Sequence, residues 1–110
     1  MISIIIRNKN EAQFIGFTLQ SCLDFFGKPE IIVLDNKSTD DSMDVVQNFN
    51  NRTNIIVKNI NNYKPGEAIN KGVKFATNDY ILVLSAHTQI INFYFDLIKK
   101  NLDKHKAVFG

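Results

Sequence analysis

Three apolar runs, each ending in a polar turn, constrain this chain more than any other feature. Ile2-Ser3-Ile4-Ile5-Ile6, Ile31-Ile32-Val33-Leu34 and Tyr80-Ile81-Leu82-Val83-Leu84 are continuous rather than alternating. Strands buried on both faces read this way. Between them the apolar period changes. Ala12, Ile15, Leu19, Cys22, Leu23 and Phe26 recur every three or four residues, which predicts a helix that ends at Gly27-Lys28-Pro29. Met43, Val46 and Phe49 predict a second, short helix, and residues 54–58 a third strand. Residues 61–66 read as a loop, and Ile69, Val73 and Ala76 as the buried face of a further helix. Tyr94, Leu97, Ile98 and Leu102 predict a last helix, followed by a strand opening at Ala107-Val108-Phe109. Strands and helices that alternate in this way call for an α/β fold, with a mostly parallel sheet covered by helices on both faces.

With 110 residues the chain has room for one core, and 45% apolar with 22% charged residues argues against disorder. The net charge of +2 is dispersed, without a run of five or six like charges, so no nucleic-acid-binding stripe is expected. The lysines around residues 99–106 read as a solvated helix face. The single cysteine, Cys22, lies in an apolar periodic stretch and is expected to be a small core residue in a reducing, cytoplasmic setting. No apolar run is long enough to cross a bilayer, and the first residues lack the basic-then-apolar pattern of a signal peptide.

In an open parallel sheet, ligands bind beyond the carboxyl ends of the strands. Polar clusters stand at those places: Arg7, Asn8, Asn10 and Glu11 after the first strand; Asp35, Asn36, Ser38, Thr39 and Asp40 after the second; Ser85 and His87 after the fourth. Helix capping alone accounts for Ser38, Thr39 or Asp40. It accounts poorly for Asp35, which precedes the cap and can accept hydrogen bonds from a base or a ribose. Arg7 suits either a surface charge or a diphosphate, which a guanidinium matches bidentately, and spacing leaves both readings open. His87 ends a buried strand on the ligand edge, whereas His105 has no such context. Dinucleotide-binding G-x-G-x-x-G, the phosphate loop G-x-x-x-x-G-K-[ST], the G-x-S-x-G elbow and H-E-x-x-H are all absent. A receiver domain of the same alternating class needs an acidic cluster where Arg7-Asn8 stands and an aspartate where Asn59 stands.

These clusters resemble family 2 glycosyltransferases. Ser3-Ile4-Ile5-Ile6-Arg7-Asn8-Lys9-Asn10-Glu11 is similar to that family's opening strand and loop, and Glu30-Ile31-Ile32-Val33-Leu34-Asp35-Asn36-Lys37-Ser38-Thr39-Asp40 to its E-I-I-V-V-D-x-x-S-T-D stretch. Gly66-Glu67-Ala68-Ile69-Asn70-Lys71-Gly72 resembles its G-x-A-x-N-x-G helix start, and residues 78–87 the strand that ends in a metal-binding D-x-D. The resemblance implies a Rossmann-like GT-A fold, a three-layer α/β/α sandwich, with residues 1–110 as one nucleotide-sugar-binding domain. It implies that Arg7, Asn8 and Glu11 line the nucleotide pocket with Ser38, and that Asp35 contacts the base, commonly uracil. Gly66 and Asn70 would shape the donor pocket, and Ser85 and His87 would take the places of the two D-x-D aspartates.

Ser-Ala-His in place of D-x-D is the main departure; imidazole can bind Mn²⁺ but is a poorer partner for Mg²⁺ than a carboxylate. His87 is thus expected either to be the single protein ligand of a divalent Mn or Mg cofactor, or to serve a site that works without one. Lys37 departs from a position where many members carry glycine. The resemblance further implies a UDP-sugar donor, a saccharide or lipid-linked acceptor, membrane contact that is peripheral at most, and inverting transfer to a hydroxyl. The catalytic base is expected beyond Gly110, so the chain reads as a truncated piece of a longer enzyme. The alternative expectation is a non-catalytic nucleotide-binding or interaction module.

Overall fold

The computed structural model describes residues 2–61, 65–87 and 107–109. Five strands form a single sheet: β1 (Ile2–Asn8), β2 (Glu30–Asp35), β3 (Ile55–Asn59), β4 (Tyr80–Ser85) and β5 (Ala107–Phe109). Its order is β3-β2-β1-β4-β5, and every pairing is parallel. Three helices are described: α1 (Ala12–Phe26), α2 (Ser42–Gln47) and α3 (Pro65–Phe75). The predicted last helix falls at residues 88–106, outside the described residues.

The apolar runs are continuous because each conceals two alternating faces. Ile4, Ile6, Ile31, Val33, Leu82 and Leu84 point to one side and pack with Ile15, Leu19 and Cys22 of α1 and Val46 of α2. Ile5, Ile32, Leu34, Ile81 and Val83 point to the other and pack with Ala68 of α3. With both faces covered, the middles of the central strands are apolar on both sides, and the α/β/α layering follows. Cys22 is fully buried, and desolvation pushes its thiol pKa up to about 12, which suits an inert core residue.

α1 stops where Gly27 takes a left-handed φ of 75° and returns its N–H to the Leu23 carbonyl at 2.9 Å. α2 ends at Gln47, earlier than its periodicity predicts. Phe49 lies in the following turn yet still packs on the α1 side of the core.

α3 corrects two expectations. It begins at Pro65, the position where a missing N–H costs nothing, so Gly66 is already helical rather than in a loop. Ile69 and Ala76 pack on the core as expected, but the stripe between them runs through Ala68, Gly72 and Phe75 rather than through Val73, which is 41% exposed. Gly72 explains the rotation. A Cβ there would come within 2.9 Å of Ile5 Cδ1 and Cγ2, so the bare backbone lets α3 sit directly on β1. Lys71 Nζ donates to the Asn59 carbonyl at 2.9 Å, and Lys58 Nζ lies 4.4 Å from the centre of the Phe75 ring. Both contacts tie α3 to the edge strand β3.

A polar knot closes the opposite, amino-terminal end of the sheet. The buried Glu30 carboxylate accepts the Ser3 hydroxyl at 2.9 Å and the Thr77 N–H and hydroxyl at 2.8 Å each, and Asn78 Nδ2 donates to Ser3 Oγ at 3.1 Å. The turn into β4 is thereby anchored to β1 and β2.

Candidate functional site

The chain runs outward from β1 through β2 to β3, then crosses back to place β4 on the other side of β1. Strand order therefore reverses between β1 and β4, and this is where open α/β sheets form ligand crevices. A cleft of about 300 Å3 lies there. Arg7 and Asn8 of β1 line it together with Lys9 and Glu11 of the following loop. Asn36 closes one side and Ser85, Ala86 and His87 the other.

Backbone bonds carry the sheet past the formal strand ends. Arg7 pairs in register with Ser85, and its carbonyl accepts the Ala86 N–H at 2.9 Å. On the other side the Asn8 carbonyl accepts the Asn36 N–H at 2.9 Å. Ala86 is held at both ends, because its own carbonyl accepts the Thr18 hydroxyl of α1 at 2.6 Å. At 1% exposure, Ala86 leaves no room for a larger side chain. The Ser-Ala-His turn is therefore rigidly placed, with its two polar side chains next to each other. Ser85 Oγ and His87 Nε2 are 3.2 Å apart, and His87 Nδ1 lies 3.7 Å from Glu11 Oε1.

A second network fixes the loops that form the wall. Asn8 Nδ2 donates to Asp35 Oδ1 at 2.9 Å and to Ser38 Oγ at 3.1 Å, and the Ser38 hydroxyl donates to the same Asp35 oxygen at 2.6 Å. Asn10, at φ 52°, turns its Oδ1 to accept the N–H groups of Thr39 at 2.7 Å and Asp40 at 3.3 Å. Asp40 reaches back to the Ala12 N–H at 3.0 Å, and Ser42 Oγ accepts the Glu11 N–H at 3.2 Å. α1 has no cap from its own Glu11 side chain, so residues at the start of α2 satisfy its first donors. Hydrogen bonding from Ser42 is the main reason that the Asp40 pKa lies below the ordinary aspartate value.

Of the residues singled out from sequence, Arg7, Asn8, Glu11, Ser85 and His87 share the cleft. Asp35 and Ser38 stand behind it. Asp35 is 4% exposed and engaged with Asn8 and Ser38, while its neighbour Asn36 faces the cleft. Gly66 and Asn70 do not line this cleft. They belong to the exposed start of α3, near a separate recess of about 190 Å3 that includes Asn61, Glu67 and Lys71. Sequence reasoning passed over Lys9, whose position in the loop directly after β1 was the available signal. It also passed over Thr18, which carried none.

A metal fits this donor set poorly. Among the described residues no three His, Cys, Asp or Glu side chains stand together as a metal cage. Mg²⁺ and Mn²⁺ favour oxygen ligands. Here Ser85 is hydrogen-bonded to the imidazole itself, and among the described residues Glu11 is the one carboxylate lining the cleft. No helix among the described residues is long and apolar enough to cross a membrane.

Known proteins match along almost the whole chain. The profile of Glycosyl transferase family 2 covers residues 3–109. A Methanococcus voltae dolichyl N-acetyl-α-D-glucosaminyl phosphate 3-β-D-2,3-diacetamido-2,3-dideoxy-β-D-glucuronosyltransferase is 31% identical over 97% of this chain and 34% of its own length. The S. aureus TarS 1–349 structure in complex with UDP superposes with a TM-score of 0.78 at 23% identity, covering 94% of this chain and 32% of that one. A Pyrobaculum calidifontis mannosyltransferase in complex with GDP-Man and Mn²⁺ gives a TM-score of 0.71 at 20% identity, covering 80% and 28%. The chain thus spans about a third of the length of these relatives. The structural matches bear out the GT-A architecture, and the sequence matches carry the family. This chain belongs to glycosyl transferase family 2.

Proposed function

We propose that this chain binds the nucleoside diphosphate part of a sugar donor, with UDP-sugar as the preferred class. In the whole protein it would serve transfer of that sugar, with inversion, to an acceptor hydroxyl in polysaccharide or glycoconjugate synthesis. The observation that carries this reading is the cleft at the reversal of strand order, with Arg7 of β1 in register beside Ser85 of β4. A guanidinium there meets a diphosphate bidentately, and the rigid Ser-Ala-His turn brings a hydroxyl and an imidazole to the same ligand. Asn36 and the carboxylate-backed loop at Asp35 and Ser38 stand where a base or ribose would approach. Gly66 and Asn70 at the start of α3 would take the outer part of the donor.

The solved relatives support this choice of ligand, since TarS is in complex with UDP and the mannosyltransferase with GDP-Man. A lipid-linked or saccharide acceptor is in keeping with the Methanococcus relative, whose name specifies a dolichyl-linked sugar phosphate. Transfer needs a base to take the proton of the attacking hydroxyl as the anomeric carbon–diphosphate bond breaks, with the electron pair leaving on the diphosphate. We assign that base to the acceptor-binding region of the whole protein.

Calorimetric titration of the chain with UDP, GDP and dTDP tests the reading. Saturable binding of UDP in preference to the other two supports it. Heat of dilution alone for all three nucleotides would contradict it.

A further inference from the structure

We infer that Thr18, in the middle of α1 and behind the cleft, is a positioning residue for donor binding, because it sets the direction in which the Ser-Ala-His turn presents His87. This rests on the donor reading and deepens it. α1 meets that turn at two places. At its start the Glu11 carboxylate lies 3.7 Å from His87 Nδ1, and two helical turns later the Thr18 hydroxyl donates to the Ala86 carbonyl at 2.6 Å. The outer contact is longer than a hydrogen bond, and the His87 side chain is 62% exposed. The inner contact is short, and Thr18 and Ala86 are both fully enclosed. The buried bond therefore fixes the turn, and the outer pair follows from it.

The backbone at Ala86 explains how one hydroxyl does this. β4 closes at Ser85, and the Ala86 N–H makes one more ladder bond, to the Arg7 carbonyl at 2.9 Å. The next peptide unit joins the Ala86 carbonyl to the His87 N–H and turns as one plane. Its oxygen points into α1 rather than along the ladder, so the orientation of that plane is set by Thr18. The hydroxyl has one proton to give, and its other acceptor, the Phe14 carbonyl, is at 3.4 Å, so the Ala86 bond is the stronger. α1 is itself held in place, since Ser42 and Asp40 accept the Glu11 and Ala12 N–H groups at its start. A valine at this position would leave the buried Ala86 carbonyl without a donor. The plane would then rotate toward another partner and carry His87 away from Ser85 Oγ, now 3.2 Å from its Nε2.

The test is titration of the chain with UDP and with uridine, for the native protein, Thr18→Val, Thr18→Ser, His87→Ala and the double variant Thr18→Val with His87→Ala. Uridine has the base and ribose but no diphosphate, so its binding does not depend on the turn. Thr18→Val is expected to weaken UDP by about 3- to 10-fold with uridine unchanged, and Thr18→Ser, which keeps the hydroxyl, to stay within about 2-fold of the native Kd. In the His87→Ala background the effect of Thr18→Val should vanish, because the side chain that it displaces is gone. Thr18→Ala removes the same hydroxyl and takes the place of Thr18→Val if that variant does not fold. Equal weakening of UDP and uridine would overturn the inference and leave Thr18 as a support of the fold alone. Native-like UDP binding by Thr18→Val, or an effect that persists in full without His87, would overturn it too. If the native protein binds neither UDP nor uridine, the donor reading itself fails and this inference with it.

Discussion

The Thr18 hydroxyl donates to the carbonyl of Ala86 at 2.6 Å, a bond from the middle of α1 to the turn that presents His87. Thr18 is 1% exposed and Ala86 equally buried, so neither group has water as a substitute partner. Thr18→Val keeps the shape and removes the donor, leaving a buried carbonyl unsatisfied. The expected loss of stability is about 1–3 kcal/mol, read from the urea midpoint, while Thr18→Ser should lose clearly less. A loss in Thr18→Ser with none in Thr18→Val would mean that the methyl group, not the hydroxyl, matters.

Gly72 sets how closely α3 approaches the sheet. Alanine is favoured over glycine in a helix by about 1 kcal/mol, so Gly72→Ala would stabilise an unobstructed position. Here the new Cβ meets Ile5 Cγ2 at 2.9 Å, and that atom is held by the branch at Cβ of a fully buried side chain. Overpacking of this kind costs about 1–3 kcal/mol, so net destabilisation of roughly 1–2 kcal/mol is expected. Adding Ile5→Val removes Cδ1, the other atom at 2.9 Å, and should recover part of the loss in a double-mutant cycle.

Lys37 holds a left-handed φ of 51° on an exposed turn. An L side chain pays about 1–2 kcal/mol there, and glycine pays about 0.5–1 kcal/mol in chain entropy instead. Lys37→Gly is therefore expected to stabilise the domain by about 0.5–1 kcal/mol in chemical denaturation.

Glu30 makes stability depend on acidity. Burial by itself favours its neutral form, yet the hydrogen bonds from Thr77 and Ser3 outweigh that and hold its pKa below the ordinary 4.5. A carboxylate lowered in the folded state contributes its full stability above pH 4.5, and that contribution is lost as pH falls through the folded value. The urea midpoint of the native chain should drop below pH 4.5, and Glu30→Gln should show a shallower drop despite lower stability at neutral pH. Parallel profiles for the two proteins would remove Glu30 as the source.

The layers were legible because the middles of β1, β2 and β4 carry only apolar residues, Ile4 to Ile6, Ile31 to Leu34 and Ile81 to Leu84. Ile4, Ile5 and Ile6 can only belong to a strand covered on both sides, and the helical period of Ile15, Leu19 and Cys22 supplies one cover. Arg7, Ser85 and His87 were legible as site residues for a related reason, since polarity in this chain begins where β1 and β4 end. What sequence could not reveal depends on contacts between distant residues. Thr18 and Ala86 are 68 positions apart, and nothing local marks the threonine as their link. Asp35 reads as an open ligand contact until Asn8 and Ser38, across the loop, are seen to share its carboxylate. Val73 follows the helical period, but Gly72 rotates the stripe by letting Ile5 into the helix surface. Gly66 and Asn70 read as donor-pocket residues by resemblance alone, yet they lie on α3, beside a different recess from His87.

The central claim, that the crevice between β1 and β4 receives the donor, is tested most directly by mapping UDP binding with amide chemical shifts on labelled protein. The account predicts that shift changes concentrate on Arg7, Asn8, Lys9 and Glu11, on Asn36, and on Ser85 to His87, with weaker effects at the start of α3. Changes confined to the recess at Asn61, Glu67 and Lys71, or no changes at saturating UDP, would contradict it.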